Sequence, residues 1–194
     1  MNPEGNARLT GSVAALLFIL LGMEGVTLLR IRNLLTLHVF IGMLLIPPVL
    51  IKICSTTYRF IHYYRGDPTY RTKGPPPVIL RLLGPLLIAT TVLMFASGVA
   101  LLVLGSAWTQ SMLFIHKASF VLWFGMMAIH VLGHLLDTAR LAPRDWYHGT
   151  RRDVAGASAR QWTLVIGVLG GILLGASFIG RVGPWLALFQ HSGH

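Results

Sequence analysis

The chain has 194 residues and a net charge of +10, and 54% of its residues are hydrophobic against 11% charged. A mean hydropathy of +0.68 excludes an ordinary water-soluble domain and places the chain in a bilayer. No polar stretch exceeds roughly 25 residues, which leaves no room for a separate soluble catalytic domain. Residues 1–194 therefore read as one integral membrane domain, and any soluble redox enzyme acting with it is another chain. The basic residues gather in loops between apolar runs, which reads as membrane topology and excludes nucleic acid as the partner. A single cysteine, Cys54, excludes a disulfide framework, a thiolate cluster and Cys-x-x-Cys-His attachment of haem.

A hydrocarbon core of ~30 Å takes ~20 apolar residues of helix. The first such run covers about 10–29; it is as long as a span and lacks a small-residue cleavage pattern, so it reads as a retained first helix. The second, about 34–62, follows the turn Arg30–Asn33 and contains Pro47 and Pro48, which predict a kink. Further spans are predicted near 79–104, 112–137 and 162–180. The predicted fold is all-α, a polytopic transmembrane helical bundle of about five spans with a four-helix core over about 10–138.

Between the second and third spans stand Arg65, Arg71 and Lys73; between the fourth and fifth stand Arg140, Arg144, Arg151, Arg152 and Arg160. Residues 105–111 carry no charge. The positive-inside rule puts both basic loops and the N-terminus in the cytoplasm and the C-terminus outside, with Arg30 and Arg32 as the exceptions. Trp108, Trp146, Tyr147, Trp162 and Trp185 fall near span ends, where interfacial aromatics belong.

The histidines are unevenly spread. His38, His62, His116, His130, His134 and His148 lie in or beside spans two and four. Imidazole is costly in hydrocarbon without a partner and usually marks a cofactor, ion or proton site; the other reading of any one such ring is a bond to a neighbouring helix or a place at the interface. His130 follows His116 by fourteen residues, ~21 Å of helical rise, so the two rings share a face at different depths. His134 lies on that face one turn further on. Two imidazoles at two depths suit two b haems relaying electrons across the membrane. His38 and His116 each stand about four residues into spans that run in the same direction, which pairs them as axial ligands of an outer haem.

The inner level is less regular. Span two offers Lys52 opposite His130, while His62 is ten residues further, ~15 Å deeper on a straight helix. Either a bent span brings His62 to His130 or His134 around a second haem iron, or that site is absent and Lys52 bonds a propionate or snorkels to the surface. Two other readings stay open: a metal-ion permease whose histidines line an ion path, and an anchor that has lost its cofactor. Glu24, the single carboxylate of the first three spans, reads as a solvated interfacial acid or as a proton carrier for quinol.

The runs Leu37-His38-Val39-Phe40-Ile41-Gly42, Ile115-His116-Lys117-Ala118-Ser119 and Ala128-Ile129-His130-Val131-Leu132-Gly133-His134 resemble the membrane cytochrome b subunits of formate dehydrogenases and nickel-iron hydrogenases, among the bacterial di-haem cytochromes b. The likeness spans roughly 10–138. It implies that His116 and His130 each ligate one haem and that His38 supplies the outer partner. It also implies an inner partner on the first helix, where residues 8–29 hold no histidine. By the same resemblance the chain is an electron-transfer subunit, not a self-contained enzyme; it sits in a bacterial plasma membrane, among lipid, between a redox partner subunit and quinone. Gly167, Gly171 and Gly175 form a small-residue stripe on the fifth span, suited to packing within the chain or to a homo-oligomer contact.

Overall fold

The computed structural model describes residues 3–72, 78–104 and 108–191. Lys73 of the first basic loop and residues 105–107 of the uncharged turn lie outside the described residues. The chain is all-α: α1 (Pro3–Leu29), α2 (Ile31–Tyr64), α3 (Pro68–Arg71), α4 (Val78–Val103), α5 (Thr109–Leu141), a 3-10 turn (Ala142–Asp145), α6 (His148–Arg151), α7 (Ala157–Ile179) and α8 (Gly183–His191). Among the described residues there is no strand. Helices α1, α2, α4, α5 and α7 are long and apolar enough to cross a membrane, so this is a multi-pass membrane protein. Several helices begin before their apolar runs: α1 at Pro3 and α7 at Ala157, where polar side chains make specific bonds instead of facing lipid.

The described chain divides into two compact units, Met1–Ile61 with Thr138–His194, and His62–Asp137. In the first unit, α1 and α2 form an antiparallel hairpin joined through Arg30. The Arg30 carbonyl accepts from the backbone N–H of both Asn33 and Leu34, each at 3.0 Å. Polar pairs then run down the hairpin. His38 meets Glu24 and Thr27; Lys52 Nζ donates to the Thr10 carbonyl at 2.9 Å; Asn6 Nδ2 donates to the Ser55 carbonyl at 3.1 Å. Each bond satisfies a group that hydrocarbon would leave unsolvated. At the level of Lys52 the first helix presents the Thr10 carbonyl, which takes one of the ammonium's donors.

The kink expected at Pro47 and Pro48 is absent from the backbone angles. Non-helical torsions fall instead at Leu34 (φ −113°, ψ 17°), next to the hairpin turn. The prolines still remove two intrahelical donors, and Pro48 frees the carbonyl of Leu44. Against that carbonyl lies Gly171 of α7: a Cβ there would collide with the Leu44 backbone. Gly167 and Gly175 pack in the same way on Ile51 and Phe40. The glycine stripe is thus occupied by α2 of the same chain, and α7, set apart from the core by the sequence reading, packs with the hairpin.

One end of this unit is closed by a buried ionic knot. Asp145 is fully buried (0% exposed) between Arg8 of α1 and Arg160 of α7, themselves 1% and 4% exposed. Arg160 binds both carboxylate oxygens, with Nη2 to Oδ1 at 2.7 Å. Arg8 Nη1 reaches Asp145 at 3.4 Å and the Thr150 carbonyl at 2.7 Å. Gln161 Nε2 donates to the Asp145 carbonyl at 2.8 Å, and Ser12 Oγ to that of Ala142 at 3.2 Å. The first turns of α1 and the basic 142–160 segment therefore share one side of the membrane.

In the second unit, α4 and α5 are joined by Trp123 Nε1, which donates to Thr91 Oγ1 at 2.9 Å. Ser97 and Ser119 are buried, each returning its hydroxyl to a carbonyl one turn back. Large apolar side chains such as Phe114, Val121, Leu132 and Leu136 are exposed along α5, as a lipid-facing surface requires. Trp108, Trp146, Tyr147 and Trp162 are exposed near helix ends, as the aromatic pattern led one to expect.

Removing the carboxylate takes from buried Arg160 the acid it binds, while Arg8 keeps Glu4 at 3.0 Å; losing one partner of such a buried pair costs about 3–5 kcal/mol. Asp145→Ala is expected to lower the thermal midpoint of the detergent-solubilised protein far more than Asp153→Ala, whose side chain is largely exposed. A scanning fluorescence melt of both variants measures the difference.

Candidate functional site

Iron ligation by imidazole uses one ring nitrogen and depends on what holds the other. His38 is the eighth residue of α2, and its Nδ1 lies 2.8 Å from Glu24 Oε1 and 3.1 Å from Thr27 Oγ1. Thr27 spends its hydroxyl proton on the Glu24 backbone carbonyl at 2.6 Å. Facing a carboxylate and an accepting hydroxyl, Nδ1 carries the proton. Gly42, one turn beyond His38, places no side chain against the carboxylate; a Cβ there would sit 3.5 Å from Oε1. Glu24 is thus bonded and only 14% exposed, which corrects its reading as a solvated interfacial acid.

His116 is the eighth residue of α5. Its Nδ1 lies 2.9 Å from the Met94 carbonyl and 3.2 Å from Ser97 Oγ. A carbonyl only accepts, so here too Nδ1 is the donor. Ser97 gives its own proton to the same carbonyl at 3.0 Å and receives from the ring. Gly98 makes the approach possible: an added Cβ would stand 3.1 Å from His116 Cε1. Gly125, by contrast, has nothing within 4 Å of an added Cβ.

His62 stands at the end of α2, where Nδ1 meets Asp67 Oδ2 at 3.1 Å and the ring tilts over Tyr70 with centroids 5.2 Å apart. Asp67 also caps α3, accepting from the Thr69 hydroxyl at 2.6 Å and backbone N–H at 3.0 Å. Those bonds, the Thr69 hydroxyl first and His62 after it, hold the Asp67 carboxyl below its ordinary value. His130 and His134, one turn apart, pack with tilted rings, centroids 4.8 Å apart and planes at 60°. His148 is exposed at the start of α6, beside Arg151 and Arg152 in an open surface cavity of about 440 Å³. Arg81 lies over the Tyr64 ring at 5.0 Å, so that part of the basic aromatic cluster is engaged within the chain.

Three of the five candidate histidines, His38, His62 and His116, thus share one arrangement: a ring whose Nδ1 is held by an oxygen. Sequence reasoning found the rings but not their holders. Glu24 and Thr27 stand three apart on α1, and Met94, Ser97 and Gly98 on α4; only the helix pairing reveals that these face the imidazoles. Among the described residues no group of three or more His, Cys, Asp or Glu gathers as a metal cage. Comparison of the chain with protein-family models, curated proteins and solved structures gives no match. The indication of function rests on the chemistry of these side chains.

A side chain at position 98 pushes the His116 ring away from both of its acceptors. Gly98→Val is expected to cost about 1–3 kcal/mol of stability and to raise the reactivity of His116 toward diethyl pyrocarbonate, read by mass spectrometry. Gly84→Val, at a position with open space around it, serves as the control.

Proposed function

We propose that this chain is a b-type cytochrome subunit of a bacterial plasma membrane, passing electrons between a redox partner protein and quinone. The observation that carries the reading is the matched pair of anchored imidazoles. His38 and His116 occupy the same position in their helices, and each has Nδ1 held by an oxygen acceptor. Oxygen-held Nδ1–H is the usual support of a metal-ligating histidine, since it sets the tautomer and the ring orientation. His38 and His116 are the residues that would hold an outer haem b, which would supply one-electron ferric and ferrous chemistry. The chain's own part is to orient both rings, to keep the metal in a low-dielectric environment and to supply neutral imidazole.

An inner haem draws on His130 or His134 with His62, whose Nδ1 is held by Asp67 in the same manner. Orientation follows from the basic segments: the first turns of α1 and the Arg144-to-Arg160 segment lie together, and the positive-inside rule assigns that side to the cytoplasm. With α1, α2, α4, α5 and α7 crossing, the C-terminus then lies outside.

A pyridine haemochrome count per polypeptide tests the reading directly. Protein purified from haem-replete cells is expected to be red, with a reduced α-band in the b-type region. His38→Ala and His116→Ala should each remove one haem. A wild-type ratio near two that drops to one in His62→Ala assigns the inner ligand; a ratio of one unaffected by His62→Ala limits the chain to a single haem. A colourless preparation, or bound zinc or copper in place of iron, removes the cytochrome reading.

A further inference from the structure

The two proposed outer ligands are held by different chemistry. His116 Nδ1 meets only neutral oxygens, the Met94 carbonyl and the Ser97 hydroxyl. His38 Nδ1 meets a carboxylate oxygen at 2.8 Å. Glu24 is the only carboxylate within α1, α2 and α4 below their first turns, and its placement is specific. Thr27, fully buried, bridges the Glu24 backbone carbonyl at 2.6 Å, the Glu24 carboxylate at 3.4 Å and His38 Nδ1 at 3.1 Å. Gly42 keeps the α2 side of the carboxylate clear. A carboxylate set among apolar helices is expensive and needs a compensating donor, and His38 supplies it.

We infer that Glu24, braced by Thr27, is a positioning residue for His38 that fixes its ring plane and makes it more electron-donating toward a metal than a ring held by a neutral oxygen. This rests on the haem reading above. A charged acceptor draws the Nδ1 proton toward itself and enriches the ring in electron density, which raises ligand basicity at Nε2. Ferric iron gains more from a basic ligand and a nearby negative charge than ferrous iron does. Glu24 therefore favours the oxidised state of the metal held by His38, while the carbonyl on His116 exerts no comparable pull. The two-helix hairpin alone builds this device, because all three residues belong to α1 and α2.

The test uses the full-length purified chain and an optical redox titration. Glu24→Gln retains an accepting oxygen of nearly the same shape and removes the charge. Its expected result is unchanged haem stoichiometry with the ferric-to-ferrous ratio at fixed ambient potential reduced about tenfold or more, a rise of ~59 mV for a one-electron couple. Thr27→Val, in which Glu24 remains, is expected to alter the low-spin ferric g-values as the ring plane turns, with a smaller change in midpoint. Ser97→Ala, on the neutral side, should move the midpoint less than Glu24→Gln. Haem lost in His38→Ala while the midpoint of Glu24→Gln and the g-values of Thr27→Val both equal wild type overturns this inference alone. Should Glu24→Gln fail to retain haem, Thr27→Val decides: changed g-values uphold the inference, and unchanged ones reject it. A wild-type chain without haem, or an unaltered spectrum in His38→Ala, removes the ligand and the inference with it.

Discussion

Hydrocarbon offers no water to a polar side chain, so each hydroxyl, amide, carboxylate or imidazole inside a span must find its partner in the protein or cost several kcal/mol. That requirement organises both units. Down the α1–α2 hairpin the pairs are Glu24 and Thr27 with His38, Thr10 with Lys52, and Asn6 with Ser55. Between α4 and α5 they are Thr91 with Trp123, and Met94 and Ser97 with His116. Apolar surfaces, interchangeable in lipid, give helices little reason to prefer one register over another. Polar pairs of fixed length do.

The same constraint explains why the candidate ligands are well prepared. A neutral imidazole has one donor and one acceptor nitrogen, and the choice between its tautomers is nearly free in water. Once Nδ1–H is committed to the Met94 carbonyl or to Glu24, the choice of tautomer is closed. Burial thus does two things with one bond: it satisfies a polar ring and fixes which nitrogen carries the proton.

How much of this was legible in the sequence depends on the range of the interaction. Five spans, their order and the interfacial tryptophans follow from apolar length and aromatic position, which are local properties. Helix ends were missed where polar residues such as Asn6, Arg8 and Arg160 extend a helix beyond its apolar run, because hydropathy cannot tell a solvated arginine from one buried on Asp145. The prolines of α2 were expected to bend it; the backbone stays helical through both, with α7 packed along that stretch. The histidine pattern was legible and its support was not, since Glu24 and His38 are fourteen residues apart across a turn and Ser97 and His116 are nineteen. Helix pairing, which no single-residue signal encodes, brings them together.

The hairpin turn carries a mechanical consequence of its own. Only Arg30 separates α1 from α2, and its carbonyl ties down the first turn of the second helix. Such a joint has no slack. One residue gained or lost between Glu24 and Leu34 would swing the flanking helix by ~100° and slide it by ~1.5 Å, carrying the carboxylate to the far side of α1 from the imidazole. Substitutions along this stretch change one contact at a time, whereas a change in its length would undo every polar rung from His38 to Ser55 at once, so chain length here is held more tightly than the identity of most residues within it.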